Sequence, residues 1–157
     1  MAAPPFKLKK SSHWSYEELS QFLADRTLPL RLGVNSASGP LIVPLWYRYN
    51  QHGFWCAVHK DAQLVSILEH NPTCAIDVST NDIPYRGVRG AGVATLNADR
   101  GAAMLQELIQ RYLGGENSSL ARWLLSRSED ELALRVQPTW LTSWDYSGRM
   151  ADVDPRH

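Results

Sequence analysis

Five histidines and two cysteines are the first places to look for chemistry in this chain. His13, His52, His59, His70 and His157 form no HExxH pair. None stands beside a cysteine at ligand spacing, so no metal centre is expected. Cys56 and Cys74 have no CxxC partner and each falls in an apolar strand pattern, which reads as buried free thiols. No serine occupies a G-x-S-x-G elbow. Asp77, on a strand, reads as a solvent-facing or hydrogen-bonded carboxylate. Two stretches offer more. In residues 57–65 (AVHKDAQLV) a strand ends, Lys60 follows, and a helix begins. Free N–H groups at a helix N-terminus, the helix dipole and an ammonium together suit an anion such as phosphate. Near the other end, Trp144, Asp145, Tyr146 and Arg149 stand close together. Aromatic faces and a guanidinium suit a flat anionic ligand, and equally a subunit interface.

A third stretch, RGVRGAG at 86–92, has the glycine density of a phosphate loop. A dinucleotide fingerprint needs strand, glycine turn and helix in succession, and a Walker loop needs Lys-Ser/Thr. Here the glycines lie inside a strand that runs on to Leu96 and serve its bending. Arg86 and Arg89 keep the capacity to pair with a phosphate from that strand.

The elements that must position these residues follow from periodicity. Ser15 and Glu18 form a capping-box pattern ahead of Tyr16, Leu19, Phe22 and Leu23, predicting a helix near 15–25. Leu30, Leu32 and Val34 alternate in one strand. The turn SASGP leads to a second at 41–49, where Pro44 calls for an edge, a bulge or a ligand. Gln51-His52-Gly53 turns the chain into a third strand at 54–59. A helix capped by Asp61 carries Leu64, Ile67 and Leu68 and stops at Asn71-Pro72. Strands at 73–80 and 85–96 come next. Leu105, Leu108, Ile109 and Tyr112 then mark a helix ending at Gly114-Gly115, and Leu120, Trp123 and Leu124 mark another. The last strand runs through Pro138 into the aromatic segment. Short turns between successive strands predict a mainly β, α+β domain: an antiparallel barrel with flanking helices.

Length fits one domain over 1–157, with 1–13 as a loose arm. Lys+Arg and Asp+Glu both number 16, and this balance argues against a general nucleic-acid binder. The basic N-terminus lacks an apolar segment behind it, so no signal peptide is expected. No run approaches the ~20 apolar residues of a membrane span. A cytoplasmic protein is the expectation. Six Trp, six Tyr and three Phe exceed what one small core absorbs, which points to a stacking site or a dimer interface.

The stretch PLIVPLWYRYNQHGFWCAVHKDAQLVSILEHNP resembles the core of the pyridoxamine 5′-phosphate oxidase-like, FMN-binding split β-barrel superfamily. A strand of the form V-x-P-hydrophobic-W pairs there with a strand ending in a basic phosphate-binding turn. Arg86, Val88, Gly92 and Ala94 fit the family's following strand, and the likeness covers about 28–150. It implies an antiparallel split barrel, a homodimer, and an FMN-dependent oxidoreductase acting on a small-molecule substrate. A deazaflavin in place of FMN, or a non-enzymatic flavin or haem binder, are the alternatives it leaves. Carried over, Val43, Pro44, Leu45 and Trp46 lie along the flavin ring, and Cys56 and Ala57 line the same site. His59 and Lys60 meet the phosphate, Arg86 adds a phosphate or ring contact across the dimer, and Trp144 approaches the ring. Haem would draw on His59 or Cys56 as axial ligand. The two adjacent basic residues of true pyridoxamine phosphate oxidases are Gln63-Leu64 here, so vitamin B6 oxidation is not implied.

Overall fold

A computed structural model describes residues 3–156. Eight strands and four helices follow in the order β1 (Lys7–Leu8), α1 (Tyr16–Asp25), β2 (Leu30–Ser36), β3 (Gly39–Leu45), β4 (Arg48–Asn50), β5 (Gly53–His59), α2 (Gln63–His70), β6 (Thr73–Ser79), β7 (Arg86–Asn97), α3 (Gly101–Leu113), α4 (Ser119–Leu125) and β8 (Glu131–Asp145). Seven strands form one antiparallel sheet in the order β3-β2-β6-β7-β8-β5-β4.

The predicted strand over 41–49 is two strands, β3 and β4, which lie at the opposite edges of that sheet. Only Trp46 and Tyr47 join them, and two residues span little more than ~10 Å even fully extended. The edges must therefore lie side by side, and the sheet curls into a barrel split at this corner. Pro44 sits on the edge strand β3, where a residue without an N–H costs no central ladder bond. Tyr47 turns inward, fully buried, and its hydroxyl donates to the Leu23 carbonyl at 2.8 Å. Trp46 turns outward and stacks on Tyr112 of α3, 5.2 Å between centroids and 6° from parallel.

Inside the barrel, alternate residues of β2, β5, β6 and β7 meet: Leu32, Val34, Phe54, Cys56, Val58, Ile76, Val78 and Val88. Leu19, Phe22 and Leu23 of α1 and Leu64, Ile67 and Leu68 of α2 complete the same core. The capping box at Ser15 and Glu18 is formed in both directions. α2 differs from expectation at its start: Ala62, not Asp61, is the N-cap, and no side chain accepts from its first turn. α3 packs outside the barrel, with Met104 and Leu108 against Trp55 and Ala133.

The loose arm expected at 1–13 is tied down through most of its length; Met1 and Ala2 lie outside the described residues. β1 pairs in parallel with Trp140 and Leu141 of β8, and Phe6 is buried. Lys9 donates its N–H to Leu141 O, and His13 its own to Ser143 O. The cause is the length of β8. β5 covers only Glu131–Val136, which leaves the edge of the second half open for this segment to pair with. No helix among the described residues is long and apolar enough to cross a membrane.

Candidate functional site

At the split corner the outer faces of β3, β5 and the head of β8 meet α3 and α4. They line an open cavity of about 340 Å³. Its walls are Pro44, Leu45, Trp46, Ala57, Leu105, Leu108, Leu120 and Leu124, and its polar end is His59 and Glu131. Each side chain arrives for a local reason. Pro44 and Leu45 end the edge strand, and Trp46 is held flat by Tyr112. Leu105 and Leu108 belong to the apolar face of α3, whose last turn closes on Gly114 in the left-handed conformation (φ 72°). Leu120 and Leu124 come from α4, where Ser118 Oγ accepts from the Ala121 N–H at 3.1 Å.

His59 and Glu131 are direct register partners on β5 and β8. The Asp61 N–H donates to His59 Nδ1 at 3.2 Å, which leaves the proton of the neutral ring on Nε2. Asp61 and Asp130 carboxylates each lie 3.9 Å from the ring nitrogens. Glu131 is only 8% exposed, and burial holds its carboxyl above the ordinary glutamate range.

Of the residues picked out in the sequence, Pro44, Leu45, Trp46, Ala57 and His59 stand round this one cavity. Val43 is half-buried on β3, packed against the barrel core. Cys56 does not reach the cavity. It alternates with Ala57 on β5 and points into the barrel, fully buried, where desolvation drives its thiol far above the ordinary range. Cys74, also buried, is pushed up to about 11 by desolvation. Lys60 is spoken for: its ammonium lies 2.7 Å from Asp130 Oδ1, which raises the lysine and lowers the aspartate. An anion at Lys60 has to displace Asp130. Arg86 and Trp144 stand at the far end of β7 and β8, and Trp144 is roughly 40 Å of extended strand from Glu131. Arg86 Nε is buried without a partner among the described residues, and the Arg89 guanidinium lies 5.6 Å from the Trp144 ring centroid.

Sequence reading missed Glu131 and gave no site role to Leu105, Leu108, Leu120 and Leu124. The leucines were visible as helix faces. The pairing of Glu131 with His59 joins two distant strands, and no local pattern carries it.

The cavity fits the ring system of a flavin better than the phosphate. Its walls are apolar, it holds an aromatic face at Trp46, and its volume lies at the small end of ligand pockets. The polar end is acidic, with Asp61, Asp130 and Glu131 around His59 and Lys60.

No family model matches the chain, and no curated protein does. Solved structures do. A conserved hypothetical protein from Mycobacterium tuberculosis superposes with a TM-score of 0.71 at 19% identity, covering 89% of this chain and 90% of that one. An F420 reductase gives 0.66 at 22% identity over 78% of this chain and 94% of its own. A protein from Listeria innocua described as a pyridoxamine 5′-phosphate oxidase gives 0.63 at 10% identity, over 81% and 95%. The strand order, the barrel split between β3 and β4 and these superpositions agree: the chain has a split β-barrel fold, shared with these structures.

Proposed function

We propose that this protein binds a flavin, with FMN as the natural form, and works as a homodimeric oxidoreductase on a small-molecule substrate. The observation that carries this reading is the convergence of Pro44, Leu45, Trp46, Ala57 and His59 on one apolar cavity. A bound flavin supplies the electron transfer itself. The chain's part is to hold the ring flat between the Pro44–Trp46 corner and the leucines of α3 and α4. It also keeps water from it and presents hydrogen-bonding groups at His59. The uncapped first turn of α2, next to Lys60, is the nearest source of N–H donors for a phosphate.

The test is the visible spectrum of protein reconstituted with FMN, repeated on Ala57→Leu. Ala57 faces the cavity, so the added atoms fill it without entering the barrel core. Wild type is expected to retain the flavin bands through gel filtration, and Ala57→Leu to lose them with its melting temperature little changed. A deazaflavin, which shares the ring shape, is the form to try next, because F420 is one and an F420 reductase shares the fold. A Soret band from haem would make His59 the axial ligand, since Cys56 faces the barrel interior.

The dimer uses the outer face of β3, β2, β6, β7 and β8. Across it run Ile42, Gly33, Ala75, Ala91 and Trp140 in register, small residues between two large ones. Ile42 is 69% exposed. The next row, Arg31, Asp77 and Arg89, carries both signs of charge and so complements a second copy of itself. Arg86 and Trp144 then serve the partner's cavity. Ile42→Asp should shift the protein from dimer to monomer in light scattering at micromolar concentration while leaving the circular dichroism spectrum intact. A wild-type monomer would overturn the assignment.

A further inference from the structure

Lys60 is the full positive charge that the flavin reading places beside the phosphate, and it is already paired. Its ammonium lies 2.7 Å from Asp130 Oδ1, and its backbone N–H donates to Asp130 O at 2.8 Å. One aspartate thus holds both the charge and the amide of Lys60. The hydrogen bond and the opposite charge keep the ammonium above the ordinary lysine range and the Asp130 carboxyl below the ordinary aspartate range.

Two features separate this pair from a chance surface contact. The first is that the main chain delivers Asp130. It closes the single turn at Ser128–Asp130 between α4 and β8, where its N–H donates to Arg127 O at 3.0 Å. With the main-chain bond to Lys60 also in place, a displaced carboxylate stays within reach of the ammonium. The second is the charge balance. The Asp61 and Asp130 carboxylates each lie 3.9 Å from the ring nitrogens of His59, and Glu131 opposes His59 in register. Against these three carboxylates stand Lys60 and Arg127, whose field also reaches Asp130. A phosphate monoester brings about two more negative charges. At the first turn of α2 it gains Lys60 only by taking the ammonium from Asp130, and it then stands beside the carboxylate it has displaced.

We propose that Asp130 is a built-in competitor for the phosphate: it holds Lys60 in the free protein and sets how far the site prefers a phosphorylated flavin to riboflavin. This rests on the flavin reading above and names the residue that tunes its selectivity. Asp130 is not one of the residues lining the cavity, so its effect falls on the phosphate and not on the ring.

The test titrates FMN and riboflavin, which differ only in the phosphate, against wild type, Asp130→Asn, Lys60→Ala and the double variant. Affinity is read by quenching of flavin fluorescence. Asp130→Asn keeps the size of the side chain and removes its charge. It should bind FMN about three- to tenfold more tightly than wild type, a modest gain because the pair is half exposed and screened. Riboflavin should bind both equally, and added salt should shrink the gain for FMN. In the Lys60→Ala background the same substitution should lose most of its effect, since no ammonium is left to compete for. FMN binding by Asp130→Asn that is equal to or weaker than wild type makes Asp130 a support that aims Lys60, and overturns the proposal. Tighter binding of both flavins alike moves its effect to the ring and overturns it as well. A gain of full size in the Lys60→Ala background means repulsion without competition, and does the same. These three outcomes leave the flavin reading standing, whereas no binding of either flavin by wild type overturns both. Riboflavin binding reports on each sample that the variant is folded. Asp130→Ser removes the same charge with a different side chain, so the comparison does not depend on one variant.

Discussion

Tyr47→Ala should cost this protein a large part of its stability, about 3–5 kcal/mol by the usual price of emptying a buried aromatic site. Total stabilities of single domains are only ~5–15 kcal/mol, so the variant should be marginal at 37 °C. Tyr47 is fully buried in the two-residue link that closes the barrel, packed 5.5 Å from Phe54 between ring centroids. Its hydroxyl binds the Leu23 carbonyl and so pins the end of α1 to the corner. Tyr47→Phe separates the two contributions. It keeps the ring and deletes the hydroxyl, and Leu23 O still receives Arg111 Nη2 at 3.1 Å. That substitution should cost only about 1 kcal/mol. Urea unfolding followed by circular dichroism measures both, and equal losses in the two variants would show that the hydroxyl, not the packing, holds the corner.

The same corner marks the limit of what periodicity reveals. Leu30, Leu32 and Val34, or Cys74, Ile76 and Val78, alternate cleanly because one face of each strand is buried in the barrel and the other is not. The capping box at Ser15 and the left-handed Gly114 are local signals, and local structure obeyed them. In LIVPLWYRY Pro44 marks an edge, but nothing marks the place where the chain leaves one sheet edge at Leu45 and joins the other at Arg48. Closing a barrel is a long-range event with no signature in nine residues.

The site shows a similar division. Pro44, Leu45, Trp46, Ala57 and His59 were legible through resemblance and stand together. Cys56 could have been set apart from Ala57 by the period of two alone, since adjacent strand residues face opposite sides. Glu131 could not have been found locally. It meets His59 only because β8 pairs with β5 in one register, and a slip of one residue would turn it to the other face. The N-terminal segment was misread for a related reason. Its composition is that of an arm, and only the uncovered half of β8 gives it something to pair with.

Gly101→Ala provides the sharpest contrast between local and tertiary expectation. Gly101 begins α3, with φ −61° and ψ −51°, and alanine is the better helix former by up to about 1 kcal/mol. Read locally, the change stabilises. In the fold, a Cβ at this position would stand 1.8 Å from the carbonyl oxygen of Glu131 and 2.3 Å from its carbonyl carbon. Both are backbone atoms of β8, so neither can rotate away, and α3 itself has to move. Overpacking of this kind costs about 1–3 kcal/mol, which outweighs the helix preference. At roughly 2–4 °C per kcal/mol for a chain of this size, the melting temperature should fall by about 3–10 °C. The displacement also reaches the cavity, because α3 carries Leu105 and Leu108 on one side of it and Gly101 abuts the strand residue that bears the Glu131 carboxylate. Flavin affinity should therefore drop together with stability. Thermal unfolding and a flavin titration on the same preparation check this, and a melting temperature equal to or above wild type would show that α3 does not seat on Glu131 as closely as the structure places it.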